Sequence, residues 1–350
     1  MTSKRIYSTI LLVISIVLMS QLVFAQIPRQ VKIVDPTAHH EIPDDAYIPK
    51  SEIDMKKSPA YEDRGSFYFT SQVNVDDNAL NIEGDAANEP SIAVDPTNPD
   101  RMAIGWRQFD DVNSNFRQAG YGYTLDGGET WTFPGVIESG IFRSDPVLGS
   151  DADGNFYYNS LTVDNQDNYW CDVFIIEEGS VEWDEGRFAK GGDKQWMAID
   201  QMEGMGQGNN YSNWTKNWSI CYPGHFTRST DAGETFESCI TIPGNPFWGT
   251  LATGPDGALY VAGFSNSGFI ISKSNTAQDP EATIEWQGFI TVYMGGYISN
   301  GEGPNPGGLL GQTWVAVDKS GGEYNGNVYM LCSVERDFGG DPLDVMFVRS

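Results

Sequence analysis

The chain has 350 residues, with 48 acidic against 21 basic side chains and a formal net charge of −27 at pH 7. That balance excludes a reader of nucleic-acid phosphates, which draws on clustered Lys and Arg. It also repels anionic surfaces at long range, so an anionic ligand requires a local basic pocket. Aromatic residues make up 13%, with 39 Gly and 18 Pro, a composition that predicts an all-β fold of short strands and tight turns rather than long helices.

Residues 1–25 have the layout of a secretory signal: Lys4 and Arg5, an apolar stretch from Ile10 to Phe24, and Val23 and Ala25 ahead of a cut after Ala25. The stretch is short for a membrane span and is broken by Ser15, Ser20 and Gln21. The expectation is a secreted or cell-surface protein with no membrane insertion of the mature chain. Cleavage removes Lys4 and Arg5 and no acid, which leaves a net charge of −29. Residues 26–65, with Pro28, Pro36, Pro43, Pro49 and Pro59 and no sustained period, read as an extended leader without assigned chemistry.

From residue 66 to 350 short apolar runs recur. The opening runs are Ser91–Asp95, Pro146–Ser150, Trp196–Asp200, Gly249–Thr253 and Trp314–Asp318, whose starts lie 55, 50, 53 and 65 positions apart. Second strands follow at Met102–Trp106, Phe156–Leu161, Leu259–Phe264 and Val328–Cys332, while in the third unit the Gly- and Asn-rich stretch 204–212 hides the strand. Units of about 50 residues with four short antiparallel strands are the size of β-propeller blades. Five blades begin in this chain, and Phe347–Ser350 matches Phe226–Ser229 before a turn of the third unit. The expectation is a fifth blade without its outer hairpin and a complete form of at least six blades, with Phe67–Val75 as a strand that would complete the last blade.

Two turns carry the octapeptide Ser/Thr-x-Asp-x-Gly-x-Thr-aromatic: Thr124 to Trp131, with Asp126 and Gly128, and Ser229 to Phe236, with Asp231 and Gly233. The Asp can accept backbone amides within the turn, the Gly can supply a positive φ, and Trp131 or Phe236 can pack on the sheet. With these boxes and the run Asn88–Pro96, the chain resembles the sialidase-like superfamily of Asp-box propellers, in particular secreted bacterial sialidase-like proteins. The resemblance covers about Phe67 to Ser350. It implies Asp boxes on the face opposite the active site, and it implies an arginine triad for the substrate carboxylate, a Tyr activated by Glu, and an Asp acid/base.

Function is therefore sought where the loops leading into the first strands and those joining second to third strands meet. The first group offers Asn88, Glu89, Arg143, Ser144, Asp145, Lys194, Gln195, Trp248, Gln312 and Thr313; the second offers Arg107, Gln108, Asp110, Asp111, Arg117, His225, Glu335 and Arg336. Arg107, Arg117 and Arg143 would converge on a carboxylate, or else pair with neighbouring acids. Asp145 would be the acid/base and Glu89 its partner. Tyr157, Tyr158 and Tyr260 offer phenols, but spacing singles out none. Trp196, Trp248 and Trp314 would either stack on sugar or pack blade ends. The Arg-Ile-Pro motif that usually carries the first triad arginine is absent.

Two Asp/Asn-rich runs, 151–155 and 164–168, read as turns rather than calcium loops. His225 lacks a metal or triad partner and reads as a solvated loop residue. Cys171, Cys221, Cys239 and Cys332 would form two disulfides in one of three pairings, and without a CxxC pair no zinc site is expected. No metal and no cofactor are called for. Two functions stay open: a glycan-binding propeller with exo-sialidase or related glycoside hydrolase activity, and a non-catalytic protein-interaction or structural module of a larger surface protein.

Overall fold

Burial of both faces of one sheet accounts for most of the architecture. The computed structural model describes residues 33–38, 40–42, 45–50, 55–299, 311–338 and 343–350; the signal-like stretch lies outside these. Four short strands, β1 (Lys57–Pro59), β2 (Glu62–Arg64), β3 (Phe69–Ser71) and β4 (Leu80–Ile82), precede the blades and pair as β1 with β4 and β2 with β3. The run Phe67–Val75 thus supplies a strand to a hairpin beside the first blade, where Ser71 Oγ donates to Gly128 O.

Five antiparallel sheets follow. The first holds β5 (Ala86–Val94), β6 (Met102–Phe109), β7 (Gln118–Thr124) and β8 (Thr132–Val136) in chain order. The second repeats this with β9 (Ser144–Ser150), β10 (Phe156–Val163), β11 (Tyr169–Ile176) and β12 (Arg187–Phe188). The third has β13 (Trp196–Ile199), β14 (Asn210–Asn213) and β15 (Phe226–Ser229), with a bridge from Phe226 to Ile240 at its outer edge. The fourth has β16 (Leu251–Thr253), β17 (Leu259–Ser265), β18 (Gly268–Ser274) and β19 (Trp286–Val292). In the fifth, β20 (Gly296–Ile298) and β21 (Trp314–Val317) both pair with β22 (Val328–Arg336), which also pairs with β23 (Asp344–Arg349). Among the described residues no helix is long and apolar enough to cross a membrane.

These sheets are propeller blades because each packs on the next through its own apolar layer. Along β10 every residue is buried, and alternation divides them: Phe156 and Tyr158 enter the core shared with blade 1, Tyr157 the core shared with blade 3. In blade 4, Leu259 and Val261 face blade 3 while Ala262 and Phe264 face blade 5. The hidden second strand of the third blade is β14, a buried Asn-Tyr-Ser-Asn run. It lacks an apolar pattern because Ser212 donates to Trp196 O at 3.0 Å and Asn210 Nδ2 to Met197 Sδ at 3.2 Å.

The two Asp boxes form the same turn. Asp126 accepts Thr130 N at 2.9 Å and the Thr130 hydroxyl at 2.6 Å; Asp231 accepts Thr235 N at 2.9 Å and its hydroxyl at 2.6 Å. The preceding hydroxyls of Thr124 and Ser229 donate to the Asp and accept Gly128 N and Gly233 N. Positive φ at Gly127 and Gly128, and at Ala232 and Gly233, closes each turn. Phe236 packs on the core of blades 2 and 3, and Trp131 lies 3.6 Å from where a Cβ on Gly128 would stand.

Buried arginines clamp the blades near these turns. Arg101 binds Asp95 at 3.1 Å and reaches the Gly154 and Glu177 carbonyls of blade 2, and Arg228 reaches the Ala277 and Ala282 carbonyls of blade 4. The two Asn/Asp runs are turns closed by Asp151 and Asp164, which accept the Asn155 and Asn168 amides. One disulfide, Cys221–Cys239, closes an 18-residue separation, while Cys171 and Cys332 are free and buried in different cores. The cysteines therefore form one bridge rather than two. His225 is also corrected: it is fully buried, its Nε2 accepts Ile242 N at 3.3 Å, and burial lowers its pKa to about 4.

Asp231→Ala is expected to lower unfolding stability by roughly 1–2 kcal/mol in urea titrations, the worth of hydrogen bonds to a charged acceptor discounted for partial exposure. Thr130 holds the Asp126 carboxyl down at about 2. A depressed carboxyl stabilises above its unfolded pKa, so this contribution falls away as pH drops towards 2. Reducing Cys221–Cys239 is expected to cost about 3 kcal/mol, from the loop-closure entropy of an 18-residue separation, measured by denaturation with and without reductant.

Candidate active site at the channel mouth

The innermost strand of each of the first four blades carries one extra residue at the same place. In blade 1, Asn88 faces Arg107 and Ser91 faces Gly105; in blade 2, Ser144 faces Leu161 and Val147 faces Asn159. Three residues on the inner strand thus span two on its neighbour, a β-bulge. In blade 3, Thr215 N donates to Asp193 O at 3.0 Å while Trp196 faces Asn213. In blade 4, Phe247 bridges Phe264 while Ala262 N donates to Thr250 O at 3.0 Å.

The first residue of each bulge has a left-handed backbone although none is glycine: Glu89 at φ 52°, Asp145 at 46°, Lys194 at 57° and Trp248 at 50°. Such a conformation costs a side-chain-bearing residue on the order of 1 kcal/mol. Pro90 and Pro146 follow the first two, and a proline is tolerated at a bulge because its missing N–H leaves no ladder bond broken. The bulge re-aims the side chain. All four residues line one cavity of about 310 Å³, with Gln195, Trp196 and Gln312.

Charge in and beside this cavity is concentrated and paired. Arg107 Nη2 lies 3.0 Å from Glu89 Oε1, and its Nε donates to Asn88 Oδ1 at 2.7 Å. Lys194 Nζ lies 3.8 Å from Asp145 Oδ2 and 3.6 Å from Asp193 Oδ1. The Lys194 amide donates to Asp145 Oδ2 at 3.2 Å, and Gln195 Nε2 donates to Asp145 O, which joins blades 2 and 3.

The leader, to which the sequence assigned no chemistry, supplies the remaining partner. Glu41 is buried, with Arg107 Nη1 at 3.2 Å and Lys194 Nζ at 3.5 Å from Oε1, and Arg117 Nη2 paired with Oε2. Burial opposes its ionisation, but Lys194, Arg117 and Arg107 outweigh it and hold the carboxyl at about 2. Glu89 shifts the other way. Its side chain keeps 46% of its surface accessible, yet the surrounding protein strips water from the carboxyl, and with the charge of Asp145 this raises it to about 7 against the pull of Arg107.

Of the sequence-selected residues, Glu89, Asp145 and Trp248 line the cavity; Arg107 joins them through its pair with Glu89, and Arg117 stands behind it on Glu41. Arg143 faces elsewhere: its guanidinium pairs with Glu138 and with Asp172 at 2.7 Å and lies over the Phe174 ring. Tyr157 and Tyr158 are buried within blade 2, bonded to Asp151 and to backbone carbonyls, and no tyrosine lines the cavity among the described residues. Trp196 and Trp314 meet edge to face at 4.9 Å between centroids. Asp126 and Asp231 stand at the far ends of β7 and β15 from this mouth; seven residues of β7 place Arg117 and the Asp box about 24 Å apart.

The two carboxyls give opposite pH responses. The raised Glu89 favours the folded state at low pH, and that contribution is lost as pH rises from its ordinary 4.5 towards 7. The depressed Glu41 stabilises above 4.5, and its contribution is lost as pH falls towards 2. In carboxyl-resolved NMR, Glu89 is expected to titrate near pH 7, to move down in Asp145→Asn and to move up in Arg107→Ala.

No protein-family profile matches the sequence, and no curated protein matches it. Among solved structures, the Hadza microbial sialidase Hz136 is 11% identical, superposes with a TM-score of 0.45, and covers 80% of this chain. The chain spans 57% of that protein's length. The Trypanosoma rangeli sialidase in complex with sialic acid is 12% identical (TM-score 0.42; 81% of this chain, 47% of that one), and the Niastella koreensis GH74 enzyme is 17% identical (TM-score 0.46; 74% and 36%). All three TM-scores lie below 0.5; the sheets and turns of the chain itself make it, in architecture, a β-propeller of antiparallel blades with Asp-box turns.

Proposed function

We propose that this chain is an exported carbohydrate-active propeller that binds an acidic glycan at the channel mouth and hydrolyses a glycosidic bond there. The observation that carries this is the convergence of four bulge residues, two acids, a lysine and a tryptophan, on one cavity. Buried Trp248 Nε1 and Gln195 Oε1 lack a hydrogen-bond partner among the described residues, and a polyhydroxyl ligand suits such a donor and acceptor. Glu89, raised to about 7, suits a general acid at neutral pH. Protonated Glu89 would donate to the departing glycosidic oxygen while Asp145 takes a proton from the attacking water, and Arg107 with Arg117 would hold the sugar carboxylate. These roles exchange those expected from sequence, which made Asp145 the acid/base and Glu89 its partner. The Cys221–Cys239 bridge supports export into an oxidising compartment.

A second reading, a non-catalytic glycan- or protein-binding module, is favoured by the lack of a tyrosine lining the cavity among the described residues. A panel of fluorogenic acidic and neutral glycosides separates the two. Glu89→Gln is expected to lower kcat about 100-fold or more with binding of the intact glycoside retained, and the wild-type rate is expected to fall above pH 7 as Glu89 loses its proton. Glycoside binding without turnover in the wild type would establish the second reading instead.

A further inference from the structure

Residues of the leader form a strap across the channel mouth, anchored on several blades. Val34 is buried in the core of blades 4 and 5. His40 stacks on Trp218 at 3.9 Å, and Glu41 O accepts the Tyr169 hydroxyl at 2.6 Å. Ile42 O accepts Arg117 Nη2 at 3.1 Å, Asp45 accepts Asn115 N at 2.6 Å, and Tyr47 shares a hydrogen bond with Ser139 at 3.0 Å. Between these anchors the Glu41 carboxylate meets Arg107, Arg117 and Lys194, and Arg107 at the same time holds Glu89 in the cavity.

A carboxylate from outside the blades therefore sits where the proposed acidic ligand would place its own. Removing Glu41 without replacement would leave three cations crowded at a partly buried site, whereas exchanging it for another carboxylate conserves the charge there. What the exchange loses is a handful of hydrogen bonds that an incoming carboxylate can remake with the same donors. A tethered group competes at an effective concentration on the order of millimolar, enough to mask a weak monosaccharide and insufficient against a ligand that also fills the cavity.

We propose that the strap is an internal competitive ligand: Glu41 occupies the carboxylate subsite formed by Arg107, Arg117 and Lys194, and a carboxylate-bearing sugar gains that subsite only as the strap lifts. This rests on the reading of the mouth as an acidic-glycan site. It gives the site a built-in threshold, since the apparent affinity is reduced by the fraction of molecules in which the strap is seated.

The test measures binding of N-acetylneuraminic acid, with N-acetylglucosamine as the neutral control, by calorimetry, and amide hydrogen exchange across residues 40–48. Glu41→Gln keeps the shape and removes the charge; Asp45→Ala loosens the strap from outside the subsite and guards against a local folding defect in the first variant. Expected are an affinity gain for the acidic sugar of at least about tenfold in Glu41→Gln and a smaller gain in Asp45→Ala. The neutral control should not change, and exchange at 40–48 should accelerate when the acidic sugar saturates the wild type. If the acidic sugar binds the wild type without altering exchange at 40–48 and Glu41→Gln changes its affinity less than twofold, the strap is no competitor, while the acidic-glycan reading stands. If exchange accelerates in Glu41→Gln and yet no variant binds the acidic sugar, the acidic-glycan reading fails and the inference fails with it.

Discussion

A sheet buried on both faces accommodates charge most readily at the ends of its strands, and that restriction organises this molecule. Every residue of β10 is out of solvent, and its side chains divide between two cores. The largest ionic clusters consequently stand at two rims. At one, the Asp boxes and the buried guanidiniums of Arg101 and Arg228 tie turns and neighbouring blades together. At the other, Arg107, Arg117, Lys194, Glu41, Glu89 and Asp145 meet within salt-bridging distance of one another's partners. The strong negative charge of the whole chain makes the second rim unusual, because there cations are gathered instead of dispersed.

The backbone, more than any short motif, assembles that rim. A one-residue bulge recurs in four blades, and each time its first residue is held left-handed with a full side chain. Natural chains retain strain of this kind where surrounding structure over-determines it, and such positions concentrate at functional sites. Repetition turns a local irregularity into a ring. Glu89, Asp145, Lys194 and Trp248 are related as equivalent residues of successive blades, so one backbone device delivers an acid pair, a cation and an aromatic surface to a single cavity.

Much of the fold is legible in the sequence because period and punctuation report it. The opening runs fall on β5, β9, β13, β16 and β21, and the Asp boxes mark their turns. What fails to show is polar burial: β14 carries asparagines and serine that satisfy one another inside the sheet, and hydropathy reads this as loop. The site is only half legible. Glu89, Asp145, Lys194 and Trp248 all fall among the lead-in residues, but their equivalence as the first residue of one bulge shows only when the repeats are aligned on the bulge and not on the first apolar residue. Arg143 has the residue type and position of an anion ligand, and Glu138 and Asp172 claim it. Glu41 gives no local signal at all. Its partners lie 66, 76 and 153 residues away, beyond the reach of any periodicity argument.

Those separations also set an order of events. Glu41 is made long before the residues that receive it, and Val34 before the fourth and fifth blades whose core it enters. A chain delivered amino terminus first cannot seat this segment until Lys194 and the blades around it have folded, because loop closure over such distances follows formation of the local hairpins. Seating this segment thus requires the blades around Lys194 to be in place, because its carboxylate has no site until Arg107, Arg117 and Lys194 stand together.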